Sequence, residues 1–111
     1  MSQLREQMKA DLRSAMKARA TENVVTLRSV LAAIDNAEAV PVEPTSSSAA
    51  PVIGKSNDVP RKVLSQEDIQ QIVQHEVTER QQASQTYAQL GQTAEAERLH
   101  RAALLLAAYI K

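Results

Sequence analysis

A chain of 111 residues suits one small domain with a modest core. Thirteen basic residues balance thirteen acidic ones, so no overall charge points to a nucleic-acid or membrane partner. The absence of cysteine excludes disulfides, thiolate chemistry and cysteine zinc sites, and two tyrosines as the only aromatic residues exclude a stacking platform for single-stranded nucleic acid.

The charge is uneven along the chain: residues 1–19 hold Arg5, Lys9, Arg13, Lys17 and Arg19 against Glu6 and Asp11. No run approaches the roughly 18 apolar residues of a membrane span, and the N-terminus has no apolar signal core. A cytoplasmic location with no membrane partner is therefore the default expectation.

The first predicted helix covers roughly residues 2–18 and places Leu4, Met8, Leu12, Ala15 and Met16 on one face. The second runs from near Thr21 to about Ala39, with a denser stripe of Val24, Leu27, Val30, Leu31, Ile34 and Ala37. Only Ala20 to Glu22 separates the two patterns, which predicts an antiparallel hairpin. All four prolines and one of the two glycines then fall between residues 40 and 62, in a stretch rich in Ser and Ala with no period. This reads as a long linker.

The third helix opens at Ser65, a good N-cap, with Glu67 and Asp68 at the positive end of the helix dipole. It runs to about Leu90, with Ile69, Ile72, Val73, Val77, Ala83, Tyr87 and Leu90 on one side and a glutamine-rich face opposite. Gly91 occupies the position where a helix end favours a left-handed residue. The fourth helix begins near Ala94. Its Leu99, Ala103, Leu106 and Ile110 form one face, yet Leu104 and Leu105 point elsewhere, and no charge occurs from Ala102 to Ile110. A helix apolar on several sides asks for cover on several sides, so Leu104 and Leu105 are candidate residues of a homo-oligomeric contact.

With no strand alternation, the expected fold is all-α: two antiparallel helical hairpins, four helices in all, docked into a small bundle. The expected boundaries are 1–39 for the N-terminal hairpin, 40–63 for the linker and 64–111 for the C-terminal hairpin, one domain overall.

The sequence Gln74-His75-Glu76-Val77-Thr78-Glu79-Arg80 comes within one residue of the zinc-protease pattern H-E-x-x-H. That chemistry needs a second histidine at position 79, and the only other one is His100. Glu97-x-x-His100 is half of a di-iron motif without a second copy. The serines cluster in the linker, where nothing rigid would hold a base or oxyanion donors. No metal, cofactor or catalytic residue is expected.

Glu76 and Arg80 stand in the middle of the third helix's apolar stripe, in the favourable Glu-to-Arg order at i,i+4. Charges so placed must be paired, because an isolated buried charge is very costly. They read as a polar core pair that fixes how the hairpins dock, joined by Arg19 or Arg28, or else as a polar patch in a binding groove. Arg5, Lys9, Arg13 and Lys17 form a basic ladder beside the first apolar face. Such a ladder either grips RNA phosphates or is a solvated edge whose stems cover the core.

Met16-Lys17-Ala18-Arg19, Thr26-Leu27-Arg28, the Glu76-x-x-x-Arg80 helix, the Gly91 turn and Tyr109, in this order, resemble the YqeY-like proteins. These are related to the C-terminal region of GatB, a component of the aspartyl/glutamyl-tRNA amidotransferase. The resemblance spans both hairpins and implies an all-helical domain associated with tRNA-dependent amidation, with tRNA or amidotransferase components as partners. The family's label of carbon–nitrogen ligase with glutamine as amido donor is read as inheritance from the larger enzyme. Two features depart from the pattern: the linker is longer and more proline-rich, and Lys111 falls where typical members continue into a three-helix domain. A non-catalytic RNA-binding module of short form is the expectation; a protein–protein adaptor or homo-oligomerising domain is its rival.

Overall fold

The computed structural model describes residues 3–39 and 63–110. The expected linker, 40–63, lies outside the described residues except for Val63. Four α-helices follow in order: α1 (Gln3–Ala18), α2 (Thr21–Glu38), α3 (Gln66–Gln89) and α4 (Thr93–Ala107), with a terminal 3₁₀ turn at Ala108–Ile110. The fold is all-α. The helices pair as two hairpins, α1 with α2 and α3 with α4, and the hairpins pack on each other through α2 against α3 and α4 and through α1 against α3.

The helix ends explain these boundaries. Ser65 Oγ accepts from the Asp68 backbone N–H, and the Ser65 N–H donates to the Asp68 carboxylate, both at 3.0 Å. This capping box satisfies two donors that the first turn would leave orphaned. At the other end of α3, Gly91 takes φ 80°. The Gly91 N–H reaches the Ala88 carbonyl at 3.1 Å and the Gln92 N–H the Tyr87 carbonyl at 2.8 Å. These two bonds define a Schellman close.

Helix α1 ends in the same motif with an unsuitable residue. The Arg19 N–H donates to the Met16 carbonyl at 3.2 Å and the Ala20 N–H to the Ala15 carbonyl at 2.9 Å. Arg19 must then adopt φ 58°. A Cβ in that conformation crowds its own carbonyl, which is why glycine normally fills the position. The turn lifts the Arg19 side chain into solvent.

The core joins all four helices. Met8, Leu27, Val30, Ile34, Ile69, Val73 and Leu106 are essentially sealed from water, with Leu4, Val77 and Ala103 around them. Full burial of one such aliphatic side chain stabilises by about 1.5–3 kcal/mol. Met16, expected on the inner face of α1, is instead 48% exposed. Each four-residue step advances about 40° around a helix, so Leu4, Met8, Leu12 and Met16 spiral away from the core while Ala15 fills the face. Leu90 is exposed for a different reason: it follows the last turn of α3 as its C-cap.

Candidate functional site

The polar pair in α3 lies at the seam between the hairpins. Arg80 Nη1 donates to Glu76 Oε1 at 2.7 Å and to the Glu76 backbone carbonyl at 3.1 Å. Its other terminal nitrogen donates to Ser29 Oγ of α2 at 3.1 Å. The two side chains are only 15% and 14% exposed. The two charges neutralise each other at the seam, and Arg80 ties the helices through one hydroxyl. Sequence reading did not find Ser29, because a single serine among the polar positions of α2 carries no periodic signal.

Arg19 and Arg28 take no part in this pair among the described residues. Arg19 is carried outward by the α1–α2 turn. Arg28 is exposed on α2, with Nη2 at 4.0 Å from Met16 Sδ. A line drawn along the helix wheel separates Arg28 from the buried Leu27 by about 100°, which keeps it off the core.

The basic ladder does not act as one ribbon. Arg5 is largely buried and pairs with Glu38 of α2 at 2.8 Å. Lys9 stands beside Glu6 at 3.7 Å. Arg13 and Lys17 are exposed. The four positions advance about 40° per step around α1, so they do not share one line along the helix. Arg28 joins the outer end: Met16 follows Arg13 by one turn and precedes Lys17 directly, so the Met16–Arg28 contact brings the guanidinium over the same surface. Arg13 and Lys17 lie to one side of the exposed Met16 on α1 and Arg28 reaches its sulfur from α2, and no ion pair engages the three cations among the described residues.

On α4, Leu104 is 58% exposed while Leu105 is partly buried against the core. The candidate contact residues therefore divide, with Leu104 outward and Leu105 inward. Glu22 of α2 and Arg101 of α4 form a two-bond ion pair at 2.9 and 3.0 Å near that surface. The hydrogen bond from Arg101 holds the Glu22 carboxyl below the usual carboxylate range. Glu95 is lowered likewise by its bond from Arg98, one turn away.

His75 is exposed and lies 3.3 Å from Glu79. No group of three or more metal-ligating side chains occurs among the described residues, and no described helix is long and apolar enough to cross a membrane.

Clefts open at two helix junctions among the described residues. The first, about 420 Å³, lies between α2 and α3, over Ala33, Ala37 and Ile72, with Asp68, His75 and Glu76 on its rim. The second, about 340 Å³, lies where α1, α2 and the end of α4 meet. There the 3₁₀ turn brings Tyr109 to α1, where its hydroxyl donates a hydrogen bond to Asp11 Oδ2 across 98 positions of sequence. Burial, with help from that bond, pushes the Tyr109 phenol well above its usual range. Leu105, Leu27 and small alanines make up the apolar walls.

No protein-family model, curated protein or solved structure matches this chain.

Proposed function

We propose that this protein is a non-catalytic helical module that binds RNA, with tRNA or a tRNA–enzyme complex as its target, through the outer end of α1. The observation that carries the reading is that Arg13, Lys17 and Arg28 are exposed without acidic partners among the described residues, with Arg28 meeting Met16, the residue before Lys17. Three cations on two helices offer donors to phosphates, and phosphate contacts dominate nucleic-acid affinity. Arg5 and Lys9, already beside Glu38 and Glu6, contribute less than the ladder as a whole would suggest. The resemblance of these helices to the YqeY-like proteins supports tRNA as the target and an association with amidotransferase components. The scarcity of aromatic residues favours recognition of backbone and shape over stacked bases. A mobility-shift assay with tRNA tests it: binding at low salt that weakens steeply as salt rises is expected, and no shift at low salt would sink the proposal.

A second reading rests on Leu104. An exposed leucine on a helix without charge from Ala102 to Ala107 is suited to a protein–protein contact, either a second copy or an adaptor partner. Sedimentation equilibrium separates the two. A concentration-dependent dimer abolished by Leu104→Glu favours this reading, and a strict monomer counts against self-association.

A further inference from the structure

We propose that the cleft between α1, α2 and the end of α4 binds a small organic ammonium through Asp11. The site is about 340 Å³ in volume, within the range of small-molecule pockets. Asp11 is half-buried on its wall and accepts from the neutral Tyr109 hydroxyl at Oδ2. No cationic side chain pairs with this carboxylate among the described residues. An ionised carboxylate offers about four acceptor sites and gains most from charged donors, so a single phenol leaves it with capacity for an N–H⁺ group.

The surroundings specify the remainder of the ligand. Ser14 and Asn23 add polar groups beside Asp11, while Leu27 and Leu105 offer an apolar surface for an aliphatic body. The alanines at the end of α1 leave the space open. Arg13 lies about 200° around the helix from Asp11, and Arg19, between the lining residues Ala18 and Ala20, is exposed and does not itself line the cleft. The cleft is therefore separate from the basic surface assigned to RNA. A short aliphatic amine has the required chemistry, as does the side chain of a lysine in a peptide.

Backbone amide shifts in NMR titrations of the full chain test this site. The probes are 1,4-diaminobutane, a capped lysine dipeptide, 1-pentanol as the neutral control and sodium chloride at matched ionic strength. The expected result is a saturable shift at Ser14, Asn23, Leu105 and Tyr109 with one or both amines and not with either control. Tighter binding by the diamine assigns the site to free amines; tighter binding by the dipeptide assigns it to lysine side chains. Asp11→Asn is expected to weaken binding at least tenfold. Ala18→Leu, at an exposed helix end, fills the cleft without touching the core and is expected to abolish the shifts even if Asp11→Asn fails to fold. Shifts spread over acidic residues elsewhere, such as Glu67 and Glu79, equal shifts with 1-pentanol, or binding unchanged in Ala18→Leu would each overturn the proposal.

Discussion

Arg80 of α3 and Ser29 of α2 meet at 3.1 Å, and through them the two hairpins share a polar contact inside an otherwise aliphatic seam. Because Arg80 also holds Glu76, removing either charge strands the other in a half-buried position. Arg80→Ala is expected to destabilise by about 2 kcal/mol, toward the lower end for a broken buried pair because both groups keep some solvent contact. Ser29→Ala should cost under about 1 kcal/mol. Urea denaturation of both variants and of Glu76→Gln checks the order. Equal, negligible losses for all three would place these residues among ordinary surface polar groups.

The two helix ends with Schellman bonding invite opposite substitutions. Arg19→Gly relieves a left-handed arginine and is expected to stabilise by about 0.5–1 kcal/mol. Gly91→Ala introduces the same strain and should destabilise by about 1 kcal/mol, although nothing lies near the added Cβ. Thermal melts of the two variants should therefore move in opposite directions.

Tyr109 gives an alkaline signature. A phenol whose folded-state pKa is raised above its unfolded value of about 10 supports the fold while protonated. That contribution is full below about pH 10 and is lost as pH rises through the folded value. Absorbance at 295 nm should show a tyrosine that ionises well above the usual range, and Tyr109→Phe should remove it and flatten the alkaline limb of stability against pH.

At the acid end, Glu22 and Glu95 titrate below 4.5 because arginines donate to their carboxylates. A depressed carboxylate contributes stability above its unfolded pKa, and this is lost as pH falls through the folded value. Glu22 is exposed and Glu95 only partly buried, so the effect is small and screened by salt. Glu22→Gln should slightly flatten the stability profile below about pH 4.5 at low salt and change little at high salt.

The bundle was legible because aliphatic residues recur at helical spacing and because Ser65 and Gly91 announce their ends. The Glu76–Arg80 spacing likewise revealed charges on an apolar stripe. What sequence reading missed depends on contacts between distant elements. Arg19 ends α1 in a glycine's role without being glycine, so no local signal separated it from a core partner. The ladder of four cations looked uniform, yet neighbouring helices decide that Arg5 meets Glu38 and that Arg28 completes the outer surface. The Tyr109–Asp11 contact depends on a 3₁₀ turn at the end of α4, which no pattern in the sequence marks.

The salt dependence of tRNA affinity tests the central claim most directly. For a site neutralising several phosphates, log affinity falls linearly with log salt, with a slope of roughly 0.7–0.9 per contact. Combined Arg13→Gln, Lys17→Gln and Arg28→Gln is expected to weaken tRNA binding at least tenfold and to reduce that slope by about 2, while circular dichroism shows the helices intact. Arg5→Gln with Lys9→Gln should change affinity less. An affinity and slope unaltered by the triple substitution would contradict the assignment of this surface to RNA.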